Sequence, residues 1–166
     1  MINIVLHEPE IPQNTGNIGR TCVATGMRLH LIRPLGFSLD EKQLKRAGLD
    51  YWPDLDVTVY EDYEDFLSKN EGAKVYFATT KGHKVYTQAQ YEPDCYIMFG
   101  KESAGIPEEI LREHEDTCVR IPMIGETRSL NLSNAVAIVA YEALRQLDFC
   151  GMKMKGELHR LTWSDR

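Results

Sequence analysis

Short apolar runs alternate with amphipathic segments along most of the chain, and this pattern predicts strands and helices in turn. Runs rich in β-branched and aromatic side chains predict buried strands at 2–6, 29–32, 57–60, 75–79, 95–99 and 119–121. Apolar side chains three or four positions apart predict helices at 18–27, 40–48, 63–69, 107–114 and 135–147. Strands that alternate with helices favour an α/β fold with a mostly parallel sheet flanked by helices.

Capping residues mark several of the predicted helix ends. Asp40 is suited to the N-cap and Gly48 to the C′ position of one helix, and Gly26 ends another. Pro107 stands at the first turn of a third helix, where its missing N–H is not needed. We find no internal repeat, and the only boundary falls near Gly151. The sequence therefore predicts one domain over 1–150 and a short basic tail over 151–166.

The overall charge changes this picture little. The chain of 166 residues has a net charge of −6 and 27% charged residues, so there is no global electrostatic case for binding nucleic acid. Basic side chains do gather locally, among them Lys153, Lys155 and Arg160 in the tail. A locally positive surface and an ordinary solvated face both remain open.

Cysteine and histidine spacing excludes several classes of site. The four cysteines form no C-x-x-C pair, which predicts reduced thiols and no zinc site, and the five histidines show no metal spacing. No Ser–His–Asp arrangement is evident, which disfavours a hydrolase. The chain opens on a strand pattern without a signal sequence, and no apolar run approaches the roughly 20 residues that cross a bilayer. These features predict a cytoplasmic protein with no membrane partner and no metal.

Three polar segments, each next to an apolar run, are the main candidates for chemistry. They are NTGNIGR at 14–20, FGKESAGIP at 99–107, and the pair IPM at 121–123 with RSLNLSNA at 128–135. Glycine and asparagine in loops at strand ends let the backbone approach a ligand closely. In open α/β sheets, ligands bind at the carboxyl ends of the strands. We therefore expect these segments to form loops around one site.

Each segment also has a purely structural interpretation. The residues of 14–17 fill many ordinary turns, and Arg20 points either at an anion or at solvent. Glu102 is either a general base or a side chain that holds its own loop. Asn131 or Ser133 caps the last helix, and the same polar approach is suited to a carboxylate, an amide or a purine edge.

The three segments, in this order, resemble the motifs of the SPOUT class of RNA methyltransferases. The opening stretch 5–17 and the closing stretch 128–136 look like the TrmL branch of that class, and the resemblance extends from Ile2 to about Gly151. Gly19 stands where a larger aliphatic residue is common, and Ala104 and 124–126 lie where members vary. These departures leave the expected chemistry untouched.

The resemblance implies a fold, a cofactor and a reaction. The C-terminal part is expected to thread into a trefoil knot and to bind S-adenosyl-L-methionine. The implied reaction is methyl transfer to the ribose 2′-hydroxyl of the wobble nucleotide (cytidine or modified uridine) of leucine tRNAs, carried out by a homodimer. The residues that it implies for cofactor binding are Ala78, Thr79, Gly100, Ile121, Met123, Ser129 and Leu130.

The resemblance also implies roles toward the RNA. Arg20 is the implied catalytic residue, although an arginine with a pKa above ~12 suits charge stabilisation better than proton removal. The anticodon stem-loop is the implied partner, with no metal in the site. The residues implied for substrate binding are Asn14, Lys101, Glu102, Arg128, Asn131 and Tyr141.

Two other interpretations of the sequence stay open. One is an RNA-binding module that has kept the fold without catalysis, although the cofactor segments and Arg20 are all present. The other is an unrelated α/β enzyme with a nucleotide-like ligand. Binding of S-adenosylmethionine together with turnover on tRNA would distinguish the methyltransferase from both.

Overall fold

Seven strands and four α-helices occupy residues 1–40, 42, 50–125 and 128–164, the parts of the chain that the computed structural model describes. The strands are β1 (Asn3–His7), β2 (Arg28–Ile32), β3 (Val57–Tyr60), β4 (Val75–Ala78), β5 (Lys84–Val85), β6 (Tyr96–Phe99) and β7 (Cys118–Arg120). The helices are α1 (Pro12–Thr25), α2 (Tyr63–Lys69), α3 (Glu108–Glu113) and α4 (Leu132–Gln146). Short 3-10 turns lie at Trp52–Asp54, Tyr86–Gln88 and Glu115–Thr117.

The strands form a single sheet in the order β3-β2-β1-β6-β4-β7-β5. Every pair of neighbouring strands is parallel, so the predicted α/β fold with a parallel sheet is confirmed. A parallel sheet is normally covered on both faces, which explains why its strands are almost continuously apolar. The burial of all five residues of β1 at the centre of the sheet agrees with this.

Helices cover both faces of the sheet. Ile4 and Leu6 of β1 point into a core that includes α1 and α4, whereas Val5 points into a second core with Phe66 of α2 and Leu111 of α3. Successive strand residues face opposite sides of a sheet. Helices α1 and α4 therefore cover one face of the sheet, and α2 and α3 cover the opposite face.

The strand order reverses next to β1. From β1 the chain proceeds outward through β2 to β3. The later strands all lie on the other side of β1, and β6 is the one next to it. Such a switch point leaves a crevice at the carboxyl ends of the two central strands, because their connections leave in opposite directions. The crevice of this chain lies between β1 and β6.

The predicted start of the first helix is wrong by several residues, whereas the last helix begins after one of its two predicted caps. Helix α1 begins at Pro12, so Asn14 and Gly16 lie in its first turns and do not form the predicted loop. Helix α4 begins at Leu132, with Asn131 as its N-cap. Asparagine, threonine and glycine have weak helix propensity, and here contacts with distant residues outweigh that preference.

The other differences are small. The two-residue strand β5 was not predicted, and Pro107 is the N-cap of α3, one position before its first helical residue. Helix α1 ends as predicted at Gly26, whose φ of 70° is left-handed. The predicted helix 40–48 lies almost wholly outside the described residues. The cysteines Cys22, Cys95 and Cys118 are buried as free thiols, and Cys150 is exposed.

A buried chain of hydrogen bonds crosses the sheet on the α2 side. The imidazole of His30 contacts the Tyr60 hydroxyl through Nδ1 (2.8 Å) and the Asn3 carbonyl oxygen Oδ1 through Nε2 (2.9 Å). Asn70 donates to the Tyr60 hydroxyl and accepts from Tyr96. These contacts satisfy the polar atoms of His30, which is only 5% exposed.

Candidate functional site

A cavity of about 750 Å³ opens at the carboxyl ends of β4, β6 and β7, beside the switch point. The starts of α1 and α4 close its other side. Its volume falls in the range of small-molecule sites, which are commonly about 300–1,000 Å³. The cavity lies on the β6 side of the crevice expected between β1 and β6, and it is large enough for a nucleoside-sized ligand.

The structure brings most of the predicted site residues together around this cavity. Seven of the lining residues are those predicted for the cofactor: Ala78, Thr79, Gly100, Ile121, Met123, Ser129 and Leu130. Five more were predicted for the substrate: Asn14, Lys101, Glu102, Arg128 and Asn131. Arg20 and Tyr141 do not line the cavity; both are exposed, on α1 and α4 respectively. What each residue binds stays a prediction.

The loop after β6 folds tightly back on itself. The Gly105 N–H donates to the Lys101 carbonyl at 2.8 Å, and these two residues form an isolated antiparallel bridge. Gly105 has a φ of 71°, and a Cβ placed on Gly100 would collide with the backbone of Gly105 and Ile106. Glycine at these two positions therefore allows the loop to form one wall of the cavity.

The Glu102 carboxylate holds the amino end of α1. Its Oε2 accepts from the Glu10 N–H (2.8 Å), and its Oε1 accepts from the Ile11 N–H (3.1 Å) and from the Asn14 amide (3.3 Å). The first N–H groups of a helix lack partners within the helix and favour negative charge. Helix α1 has no side-chain cap at Ile11; instead, Glu102 from another loop anchors the backbone that leads into the helix. This geometry favours the structural interpretation of Glu102 over a general base.

Asn14 and Asn131 connect this arrangement to α4. Asn131 Nδ2 donates to Asn14 Oδ1 at 3.1 Å, while Asn131 Oδ1 accepts from the backbone N–H groups of Ser133 (3.0 Å) and Asn134 (3.4 Å). Asn131 is therefore the N-cap of α4, which settles the choice between Asn131 and Ser133. One continuous set of hydrogen bonds, from Glu102 through Asn14 to Asn131, joins the three segments singled out in the sequence.

A second pair of hydrogen bonds joins the same two loops, and here the accepting carboxylate lies before α1 and the donors lie in the loop after β6. The Glu10 carboxylate accepts from the Ser103 N–H (3.1 Å) and from the Ser103 hydroxyl (2.5 Å). These hydrogen bonds hold the pKa of the Glu10 carboxyl below its usual value. The loops at 8–11 and 101–105 are thus joined from both sides.

Lys101 forms an ion pair at the rim of the cavity. Its Nζ lies 3.3 Å from Glu8 Oε2, and Glu8 has a left-handed φ of 54°, which is uncommon for a residue other than glycine. The neighbouring His7 is buried, and burial lowers the pKa of its imidazole. The pair therefore joins the end of β1 to the loop after β6.

Arg20 lies two turns beyond Asn14 on α1. Its guanidinium carbon is 5.3 Å from the centre of the Tyr51 ring, and the Tyr51 hydroxyl donates to the Gly16 carbonyl. The arginine is therefore held beside an aromatic ring, outside the cavity lining.

Part of the cavity lining was not predicted from the sequence. Thr80 and Lys81 follow β4 and line the cavity, as does Ile106 after β6. The segment 79–82 (TTKG) is polar, contains glycine and directly follows an apolar strand, so the criterion that identified the other three segments would also have found it.

Within the described residues, no cluster of histidine, cysteine, aspartate or glutamate is arranged to hold a metal ion. In the same part of the chain, the helices are too short or too polar to cross a membrane.

Comparison with known proteins gives one family and several close relatives. Residues 1–141 match the model of the SpoU rRNA Methylase family. The tRNA (cytidine(34)-2′-O)-methyltransferase of Escherichia coli (strain K12) is 48% identical over 156 residues, which is 93% of this chain and 99% of that protein. A Listeria monocytogenes protein, described as a candidate enzyme of the same kind, is 49% identical over 166 residues and 98% of each chain.

Solved structures agree with these matches. The crystal structure of a candidate RNA methyltransferase from Bacillus anthracis superposes with a TM-score of 0.90 at 50% identity, over 93% of this chain and 99% of that one. An AdoMet-bound rRNA methyltransferase from Sinorhizobium meliloti superposes with a TM-score of 0.76 at 28% identity, over 88% of this chain and 56% of that one.

Proposed function

The chain belongs to the SpoU rRNA Methylase family, and we propose that it transfers a methyl group to a ribose 2′-hydroxyl of tRNA. The proposed target is the wobble nucleotide, position 34, as a cytidine or a modified uridine. The name of the E. coli relative, at 48% identity over 93% of this chain, supports the target. The choice of leucine tRNAs rests on the resemblance of 5–17 and 128–136 to the TrmL branch.

The observation that carries the proposal is the lining of the cavity. It combines apolar side chains such as Phe99 and Ile121 with the hydroxyls of Thr79 and Ser129 and with backbone at strand ends. Such a site suits a ligand with an aromatic base, a ribose and charged ends. Gly100 contributes backbone to this lining, because a Cβ there would collide with the backbone of Gly105 and Ile106 in the same loop. These residues fit S-adenosyl-L-methionine, which we propose as the cofactor. The rRNA methyltransferase relative solved with AdoMet bound supports this choice.

When bound, S-adenosylmethionine supplies a methyl group already activated by a positively charged sulfur. The protein then has to align the ribose oxygen and assist the loss of its proton. We assign Ala78, Thr79, Gly100, Ile121, Met123, Ser129 and Leu130 to cofactor binding because all of them line the cavity.

We propose that Arg20 acts on the RNA side of the reaction. It is exposed and outside the cavity lining, so the RNA can reach its guanidinium from solvent. Since the guanidinium is positively charged and donates through several N–H groups, it is suited to hold a phosphate and to stabilise the developing negative charge on the ribose oxygen. Asn14, Lys101, Glu102, Arg128 and Asn131 also line the cavity, and we retain them as the proposed substrate-binding residues.

The partners follow from the surface. The net charge of −6 means that RNA must be attracted by local basic groups, and Lys101 and Arg128 at the cavity are the nearest candidates. We further propose a homodimer that uses the outer face of α4, where Ile138 and Tyr141 are 37% and 44% exposed. The trefoil knot in the C-terminal part, the boundary at 150/151 and a cytoplasmic location belong to the same proposal.

The test is transfer of labelled methyl from S-adenosylmethionine to leucine tRNA that lacks wobble methylation, with wild type and Arg20→Ala. We expect 2′-O-methylation at position 34, and a loss of at least about 100-fold in kcat for the variant, which is typical for loss of an electrostatic stabiliser. Methylation that survives in the variant would remove Arg20 from the mechanism.

Glu71→Gln, at an exposed carboxylate in the turn after α2, provides a control that should retain wild-type activity. Cofactor binding without methylation of any tRNA would favour an RNA-binding module that has kept the fold. Absence of cofactor binding would contradict the proposal altogether.

A further inference from the structure

The proposed function does not explain the glycine at position 19, directly before Arg20. In this structure the space beside Gly19 is occupied from another part of the chain. A Cβ at this position would lie 3.2 Å from Tyr51 Cε2, 3.2 Å from Leu55 Cδ2 and 3.4 Å from Trp52 Cζ3. The absence of a side chain at Gly19 therefore allows these residues to pack directly on α1.

This packing places Tyr51 against the turn of α1 that carries Arg20. The Tyr51 hydroxyl donates to the Gly16 carbonyl, the same carbonyl that accepts the backbone N–H of Arg20 in a regular α-helix. The ring lies under the guanidinium, with 5.3 Å between the Arg20 Cζ atom and the ring centre. A cation within about 6 Å of an aromatic face is attracted by the ring quadrupole. Tyr51 thus contacts both the backbone and the side chain of this turn.

Arg20 has no comparable restraint from its own helix. Its long side chain is exposed, and an unrestrained arginine loses considerable rotamer entropy when it is fixed in one place. Among the described residues, no carboxylate lies within ion-pair distance of Arg20. An aromatic ring can orient a guanidinium while leaving all its N–H groups free to donate to an anion, whereas a carboxylate would occupy them.

We propose that Tyr51 is the positioning residue for Arg20, and that Gly19 is glycine in this chain because it admits Tyr51 to the surface of α1. This inference rests on the proposed function only for the role of Arg20 in methyl transfer. The contact itself is independent of the reaction.

The kinetic test is a double-mutant cycle between Tyr51 and Arg20. Tyr51→Leu removes the ring while keeping most of the volume, and we expect kcat on tRNA to fall by about 10-fold with an unchanged KM for S-adenosylmethionine, since small misplacements of a reacting group cost up to about 100-fold. Tyr51→Phe keeps the ring and should retain kcat within about 2-fold. In an Arg20→Ala background, Tyr51→Leu should have no further effect on kcat.

Trp52→Leu is the matched control, because Trp52 packs on the same glycine. We expect it to lower the melting temperature about as much as Tyr51→Leu and to leave kcat within about 2-fold of wild type. An equal fall of kcat in Trp52→Leu, or additive effects of Tyr51→Leu and Arg20→Ala, would reduce Tyr51 to a structural residue and overturn the proposal.

A spectroscopic measurement separates this proposal from the proposed function. In protein with labelled arginine, the Arg20 side-chain resonances should be shifted upfield by the ring current in wild type and Tyr51→Phe, and should return to ordinary values in Tyr51→Leu. Ring-current shifts in a protein that methylates no tRNA would contradict the proposed function alone. Identical Arg20 resonances in wild type and Tyr51→Leu would contradict the positioning contact, whatever the activity.

Discussion

His30 is held in one protonation state by its neighbours. Asn3 uses its amide nitrogen toward the carbonyls of Asp94 and Cys95, so its Oδ1 faces the imidazole and accepts from Nε2–H. The other ring nitrogen, Nδ1, then accepts from the Tyr60 hydroxyl. This arrangement satisfies both ring nitrogens of a neutral His30.

Burial of His30 makes the stability of the fold depend on pH. Desolvation lowers the pKa of its imidazole to about 4 in the folded protein, against about 6.5 in an unfolded chain. The unfolded state then binds more protons between these values, so the free energy of unfolding falls as the pH drops through this window. From the two values we expect a loss of about 2 kcal/mol between pH 7 and pH 5, measured by urea unfolding.

The control for this prediction is His30→Gln, which lacks a titratable group. Its unfolding free energy should be lower at pH 7 and should change less between pH 7 and pH 5. The change that remains is attributed in part to His7, whose imidazole pKa is also lowered by burial. Equal pH dependence in the two proteins would rule out His30 as the main cause.

At the residue scale, the sequence predicted the members of the site better than their contacts. Most of the residues taken from the motif resemblance line one cavity. The hydrogen bond between Asn14 and Glu102 joins residues that are 88 positions apart, and no local pattern indicates such a partner. Tyr51 escaped notice for the same reason, since its role depends on two glycines 32 and 35 positions away.

At the scale of elements, one side chain serves α4 in two ways that substitution can separate. Asn131 caps the helix through Oδ1 and reaches Asn14 through Nδ2. Asn131→Ala removes both contacts, and loss of a cap lowers stability by about 1 kcal/mol. Asn131→Asp keeps an acceptor for the cap but has no donor for Asn14.

We therefore expect Asn131→Asp to retain nearly wild-type stability and to weaken binding of S-adenosylmethionine, because Asn14 and the loop at 101–105 lose their link to α4. Asn131→Ala should impair both. Urea unfolding and calorimetric titration of the cofactor measure the two effects. Wild-type cofactor affinity in Asn131→Asp would mean that the cap alone supports the cavity.

The elements that the sequence predicted well are those whose own residues determine them. The strands in the middle of the sheet and the helix Tyr63–Lys69 are explained by local apolar patterns and by a local cap, the Asp62 side chain that accepts from the Asp65 N–H. The start of α1 was missed because the carboxylate that holds it comes from Glu102. Strand β5 has only two residues, which is too short for an alternation of apolar and polar side chains to be recognised.

At the scale of the whole molecule, the tail differs from the domain before it. Its residues Met154, Leu161 and Trp163 are 67%, 71% and 65% exposed. In sequence, the tail carries the basic residues Lys153, Lys155, Arg160 and Arg166 and the acidic residues Glu157 and Asp165. An exposed segment contributes little to the stability of the core. Its positive charge, in a chain of net charge −6, instead suits contact with RNA phosphates.

Removal of residues 153–166 should accordingly change RNA binding more than folding. We expect the melting temperature to change by less than about 2 °C, because the exposed tail should contribute less than about 1 kcal/mol and a ΔΔG of 1 kcal/mol corresponds to about 2–4 °C in a domain of 150–250 residues. The KM for tRNA should rise several-fold, and its dependence on salt should become weaker as phosphate contacts are lost. The control is a full-length variant that removes the charge without shortening the chain: Lys153→Gln, Lys155→Gln, Arg160→Gln. An unchanged KM in both proteins would exclude the tail from RNA binding.

The hydrogen bonds from Glu102 through Asn14 to Asn131 also impose an order on biosynthesis. Asn14 and Asn131 are separated by 117 residues, which a ribosome adds in roughly 6 to 23 s at about 5–20 residues per second. During that interval the cavity cannot form, because its last wall comes from 128–135. A prematurely terminated polypeptide would therefore have no affinity for the cofactor, and only a finished chain would compete for it in the cell.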